Sequence, residues 1–317
     1  MSLVFQSSLL SKQKGILLKF PRYKGAHSRL DRQLHTLYRD AHIIVISKAA
    51  GILSQPDERS IGGATDLLGL VRAYIKKSAG KQNGAYVGLV HRLDRNVTGC
   101  MVFALRSKAA ARLSYDFKNR LVRKMYVAMV VGTLSGEGLL TNSLVHGRNN
   151  VARVMNRVNE SLQPPSVPSN KKLEQAQLYF KSLGTFYHPR GGAQTLLQIQ
   201  LISGKKHQIR AQLSHLGHPI VGDVKYKAPT HFRDKFMALH CYSLTLRHPS
   251  QGSRIVKELT SGEGVCGDPK GRKLDHEKRQ IMDFYAPLPE SWQARFGADV
   301  VRCVHELPRD IGDIALA

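Results

Sequence analysis

HRLDRNVTG, residues 91–99, is a charged stretch set between two apolar runs, Tyr86–Val90 before it and Met101–Leu105 after it. Short apolar runs bounded by polar residues read as buried strands, so the stretch between them is a loop. It places one carboxylate, Asp94, between Arg92 and Arg95. Acids are scarce nearby: residues 41–132 hold only Asp57, Glu58, Asp66, Asp94 and Asp116. A carboxylate flanked by fixed cations is expected to stay ionised at neutral pH, because opposite charge favours the charged form. Two jobs suit such a group. It is either a structural ion pair that ties the loop, or a nucleophile or charge stabiliser for a reacting sugar. These nine residues leave both open.

Outward from the loop, HIIVIS (42–47) is a β-rich run ending at Lys48 and Gly51. Thr65 followed by Leu67, Leu68, Val71, Tyr74 and Ile75 reads as a capped amphipathic helix, and Ser107 opens a second with Ala110, Leu113 and Phe117 on one face. Met125–Val131 is a strand ended by Gly132, and Ala176–Leu183 and Thr195–Ile202 return to β character. Lys206–Leu216 carries Ile209, Leu213 and Leu216 on one face with Gly217 as its C-cap. Leu239–Leu246 is a strand, and FYAPLPESW (284–292) an ordered tail element. Residues 148–172, polar and holding Pro164, Pro165 and Pro168, read as a flexible insertion; Gly-, Lys- and Asp-rich 249–280 reads as a second. No internal repeat is present. Strands broken by occasional helices give an α+β fold with a mixed, mostly antiparallel sheet. Its single domain is expected to span 41–317, after an arm of residues 1–40 with no room for a separate domain.

The 317 residues carry a net charge of +25 with 42% hydrophobic content. That hydrophobic share excludes a disordered basic tail. No apolar run approaches the roughly 18 residues of a membrane span. Cys100, Cys241, Cys266 and Cys303 form no C-x-x-C pair, which argues against a disulfide framework or a cysteine zinc site. The positive excess ends abruptly, since residues 241–317 hold 11 basic and 11 acidic residues. Charge spread over a folded chain in this way is the footprint of a nucleic-acid binder. The first thirty residues have no acid, while Lys12, Lys14, Lys19, Arg22, Lys24 and Arg29 alternate with serines and leucines. This is the character of a mitochondrial transit peptide. The other reading is a retained basic arm that touches RNA, in a cytoplasmic or nuclear protein.

SGKKHQIRAQLSHLGHPIVGD (203–223) sets a glycine turn and a basic helix start beside Arg210. With the helix amino terminus, Lys205, Lys206 and Arg210 make an anion site for an RNA phosphate or for Asp94 itself. His207, His215 and His218 lack carboxylate or cysteine partners at ligand spacing, so no metal is expected. Asp223 reads as a turn or cap residue.

Taken together, these blocks resemble the RluA-type family of RNA pseudouridine synthases. IVISKAAGILSQP (44–56) resembles the family's first strand and K-P-x-G turn, with Ala49 for the proline. HRLDRNVTG resembles H-R-L-D-x-x-T-S-G, KMYVAMVVG (124–132) resembles K-x-Y-x-A-x-V-x-G, and residues 203–226 resemble T-G-R-x-H-Q-I-R followed by G-H-P-I-x-G-D-x-x-Y. ALHCYSLTLRHP (238–249) and APLPESW (286–292) resemble the closing strand and tail, so the likeness spans roughly 41–292. It implies a curved, mostly antiparallel mixed sheet with flanking helices and a central basic cleft. The implied activity is isomerisation of uridine in RNA without metal or organic cofactor. Residue by residue, Asp94 matches the catalytic aspartate, Arg210 its ion-pair partner, and Tyr126 the tyrosine packed on the uracil. Arg92 matches the arginine that fills the space left by the flipped nucleotide. Arg95, Lys205, Lys206 and His207 join it as RNA-binding residues. Lys205 stands where the family has arginine, which keeps the charge and loses the bidentate fork. The expected partner is rRNA or tRNA, including precursors of the small or large mitochondrial ribosomal subunit. The competing class is a former synthase kept as a ribosome assembly factor; the match at Asp94, Tyr126 and Arg210 favours the enzyme.

Overall fold

The computed structural model describes residues 34–56, 66–80, 84–147, 151–155, 173–229, 236–250 and 279–307. Most of the expected arm and of both expected insertions lies outside them.

Among the described residues eleven strands form one sheet. They are β1 (His35–Arg39), β2 (Ile43–Lys48), β3 (Gly88–Leu89), β4 (Thr98–Ala104), β5 (Arg123–Val131), β6 (Glu137–His146), β7 (Ala152–Met155), β8 (Glu174–His188), β9 (Gly192–Leu201), β10 (Leu239–Arg247) and β11 (Ile281–Tyr285). The order is β1-β2-β4-β10-β5-β9-β8-β6-β7, with β3 also on β4 and β11 also on β10. Every pairing is antiparallel except β4 with β10, where His240 lies opposite Thr98 and Cys241 opposite Gly99. The mixed, mostly antiparallel sheet is therefore present. The central strands are apolar on both faces: every residue of β4 is buried, as are seven consecutive residues of β5. Such strands must be covered on both sides, and their sequences read as unbroken apolar runs.

Among the described residues four α-helices accompany the sheet: α1 (Leu67–Ser78), α2 (Ser107–Lys118), α3 (Gln208–His215) and α4 (Glu290–His305). Asp66 caps α1, its carboxylate accepting from Gly69 N; Thr65 lies outside the described residues. Ser107 is the first helical residue of α2 and does not cap it. Leu113 on α2 is fully buried, in line with the apolar face read from sequence.

Three differences from the sequence reading matter. The sheet begins at His35, inside the stretch assigned to the arm, because β1 pairs along β2. Ala152–Met155 within the first expected insertion is a strand on β6. The tail continues into α4, bent at Gly297 (φ 83°), where Trp292 is fully buried against Phe236 and Phe296.

The ends flanking residues 251–278 are fastened together. His248 N donates to Gln280 O at 2.8 Å, Arg112 of α2 donates to Pro249 O, and Arg279 pairs with Asp116 of α2 at 2.7 Å.

Candidate active site

The loop holding Asp94 is clamped by the last residue of β2 and by the segment that follows it. Lys48 is 1% exposed and its Nζ donates to three carbonyls, Ala49 (3.0 Å), Arg95 (2.9 Å) and Val97 (2.8 Å). Burial pushes this amine down to about 7, while the charge of Asp94 pulls the other way. Ser54 Oγ donates to Leu93 O and accepts from Leu93 N. Arg95 turns back onto its own scaffold, Nε donating to Gly51 O at 2.9 Å. Arg92 is exposed. His91 is half-buried and stacked on Phe117, and its Nε2 accepts from Val102 N (3.0 Å). Desolvation holds it down to about 3, so it is a neutral strut.

Where the loop enters β4, two features fix its path. Gly99 (φ 117°) runs so close to β10 that a Cβ would stand 2.1 Å from Cys241 O. Thr98 Oγ1 meets His240 Nδ1 at 2.7 Å, while His240 Nε2 meets Ala286 O at 3.1 Å. A carbonyl only accepts, so Nε2 carries the proton and the Thr98 hydroxyl donates to Nδ1. Burial lowers His240 to about 4, in keeping with that neutral form.

From the other side, α3 delivers Arg210. Its Nη1 donates to Asp94 Oδ2 at 2.8 Å, while Nε and Nη2 donate to Asp223 Oδ2 (2.7 Å) and Oδ1 (2.8 Å). Of the two anions left open for this site, the one present is Asp94. Burial works against the guanidinium charge, but the bonds and charge of Asp223, then those of Asp94, hold its proton more tightly than usual. Asp223 is 2% exposed and stands at the N-cap position of the Val224–Tyr226 turn, as its turn-or-cap reading expects, but its side chain makes no cap bond and instead forms a two-pronged brace that aims Arg210. The Tyr226 ring lies under the same guanidinium at 4.9 Å. Gln208 stitches the preceding turn: its Oε1 accepts from Ser203 Oγ and Lys205 N, and its Nε2 donates to Gln177 O and Gln212 Oε1.

The other expected residues divide. Tyr126 sits mid-strand in β5, 6% exposed, opposite Cys241 in register. Burial pushes this phenol well up, with Cys241 and the charge of Asp94 acting in the same direction. Lys205 reaches away to Glu174 at 3.1 Å, and Lys206 is exposed. His207 turns inward, Nε2 at 3.6 Å from Asp94 Oδ2. Its backbone is left-handed (φ 56°, ψ 20°), a conformation that costs a non-glycine residue about 1–3 kcal/mol. The three histidines of 203–223 do not converge: His215 is exposed and His218 donates through Nδ1 to Val131 O. Among the described residues no group of three or more His, Cys, Asp or Glu could hold a metal.

A carboxylate 26% exposed, gripped through one oxygen and surrounded by cations, narrows the class of chemistry. Comparison with known proteins decides the family. The family model described as RNA pseudouridylate synthase matches residues 42–215. The chain belongs to the RluA-type family of RNA pseudouridine synthases. It is an enzyme of that family, whose reaction class is isomerisation of uridine in RNA. Among its relatives, tRNA pseudouridine synthase C of Salmonella typhimurium is 30% identical over 235 residues, covering 70% of this chain and 84% of its own length. Ribosomal large subunit pseudouridine synthase D of Nitrosomonas europaea is 30% identical over 233 residues, covering 71% of this chain and 61% of the relative. The solved structure of human RNA pseudouridylate synthase domain containing 4 superposes with a TM-score of 0.56 at 20% identity, over 87% of this chain and 94% of that one. That likeness shows the shared fold.

Proposed function

We propose that the chain converts uridine to pseudouridine in structured RNA with Asp94 as the catalytic carboxylate. The observation that carries the reading is the Asp223–Arg210–Asp94 chain. It holds Asp94 through Oδ2 alone and leaves the group partly open beneath a basic surface. The isomerisation breaks the bond between uracil N1 and ribose C1′, turns the base, joins C5 to C1′, and releases the C5 proton while N1 gains one. Asp94 supplies the negative charge that the departing glycosidic bond needs at the sugar. Arg210 fixes its rotamer. Tyr126 packs against the turned base and handles the C5 proton, and its nearness to the charge of Asp94 supports that placement. Exposed Arg92 enters the gap left by the everted nucleotide, and Arg95 and Lys206 meet phosphates. Lys205, engaged with Glu174, lies at the rim of the same surface.

The substrates we propose are tRNA or rRNA, in keeping with relatives named for tRNA and for the large ribosomal subunit. The acid-free, basic start of the chain supports a mitochondrial address, with mitochondrial ribosomal RNA among the targets. Tritium release from [5-³H]uridine-labelled tRNA and rRNA transcripts tests the activity. Release by the full chain, with pseudouridine found in the digested RNA, is expected; no release from either pool would count against the reading.

A further inference from the structure

A chain of contacts leads from the outermost strand of the sheet to Asp94. The backbone N–H of Ala152 in β7 donates to the Tyr226 hydroxyl oxygen at 2.9 Å, and that hydroxyl meets His207 Nδ1 at 3.1 Å. On the far side of the imidazole, Nε2 faces Asp94 Oδ2 at 3.6 Å.

The carboxylate assigns the tautomer. A neutral ring protonated on Nδ1 would press the Nε2 lone pair against Asp94 Oδ2, so the proton sits on Nε2, the nitrogen turned toward the carboxylate. Nδ1 is then the acceptor, and the Tyr226 hydroxyl, whose oxygen accepts from Ala152, donates to it. Burial keeps this ring neutral, pushing it down to about 4, with the Asp94 charge opposing.

Arg210 and His207 approach the same carboxylate oxygen. Both contacts are to Oδ2, and Oδ1 has no recorded partner among the described residues. The Arg210 bond, with the His207 N–H facing the same oxygen, orients the carboxyl group and turns the other oxygen outward. His207 reaches that place from a left-handed backbone at the start of α3. At 3.6 Å the contact is longer than a hydrogen bond, as such contacts often are before substrate closes the site.

We propose that His207, held as its Nε2–H tautomer by Tyr226, is a positioning residue that works with Arg210 on Oδ2 so that Oδ1 is the oxygen presented to the nucleotide. This rests on Asp94 being the catalytic carboxylate. Because Tyr226 is tied to Ala152, the edge strand β7 bears on the same alignment.

The test uses the full chain, [5-³H]uridine-labelled tRNA and rRNA transcripts, and four variants. His207→Phe keeps the ring volume without the N–H, His207→Gln restores a donor, Tyr226→Phe removes the hydroxyl, and Asp94→Asn is the reference. For His207→Phe the expected loss is roughly 10–100-fold in kcat with little change in KM, as for a misoriented reacting group. His207→Gln recovers most of it. In wild type, ¹⁵N NMR of the imidazole shows the Nε2–H tautomer. In Tyr226→Phe the ring takes up both tautomers, and the acid limb of the kcat profile moves to higher pH because Nδ1 is free to bind a proton. Wild-type kcat in folded His207→Phe beside an inactive Asp94→Asn would overturn the positioning role alone. So would an Nδ1–H tautomer in the wild-type chain, a readout that needs no variant to fold. Wild-type kcat in Asp94→Asn would remove the catalytic reading and this inference with it.

Discussion

Arg210 and Arg279 each drive a guanidinium into a buried aspartate at 2.7 Å, yet the two contacts serve different ends. Around Arg279 everything is closed: its side chain is 3% exposed and Asp116 is 1% exposed. Arg210 uses two nitrogens on Asp223, which is just as buried, and extends the third to Asp94, which is 26% exposed. The first pair is a fastener that seals the ends of residues 251–278 against α2. The second is a fastener with one arm left over, and that arm ends on a carboxylate that solvent can reach. Burial alone does not separate a working ion pair from a structural one; the open end does.

Asp94→Asn sharpens this comparison most strongly. Tritium release is expected to fall roughly 10³-fold or more, the scale of losing a group that acts in the transition state. RNA affinity and melting temperature stay near wild type, because Arg210 keeps its brace. Asp223→Ala and Asp116→Ala then set the two regions side by side. Each leaves a buried guanidinium without its principal carboxylate, and each is expected to cost about 3–5 kcal/mol in denaturant unfolding. Only Asp223→Ala also loses turnover per folded molecule; equal turnover losses in both would erase the distinction. Lys206→Ala tests the open side. The log–log dependence of RNA binding on salt is expected to flatten by ~0.7, one single-strand phosphate contact, and an unchanged slope would take Lys206 off the RNA path.

The smallest effect concerns a third tie, remote from the site. Asp40 accepts from His42 N, Ile43 N and His248 Nε2, and although burial opposes its charge, those bonds hold it down to about 2. Its folded value lies below the ordinary carboxylate value, so its contribution is full above about pH 4 and is lost as pH falls through about 2. Asp40→Asn is expected to cost about 1–2 kcal/mol at neutral pH. The gap to wild type should close in acid unfolding curves between those limits.

Much of the sheet was legible because its central strands are apolar runs punctuated by polar loops, and β2, β4, β5, β9 and β10 follow those runs. β6 was not, since its buried and exposed residues alternate irregularly from Glu137 to His146. α4 was hidden behind the prolines that precede it. In the site, the ordered motifs led to Asp94 and Arg210, which the structure brings into contact. The brace that Asp223 makes was not legible because its partner stands thirteen residues away on another element, and no local periodicity reports such a contact. A signal was available: residues 133–240 hold only five acids against fourteen basic residues. A carboxylate in that company finds a cation, and Arg210 is near in sequence. Lys48 and Tyr226 were missed for the opposite reason, since each looks ordinary until the fold buries its polar end.

Pseudouridine mapping across all cellular RNA, organellar RNA included, tests the central claim most directly in cells lacking the chain and then supplied with wild type or Asp94→Asn. The expected result is at least one uridine that loses its modification, regains it with wild type, and stays unmodified with Asp94→Asn although that variant accumulates normally. Restoration by Asp94→Asn at the same uridine would contradict it.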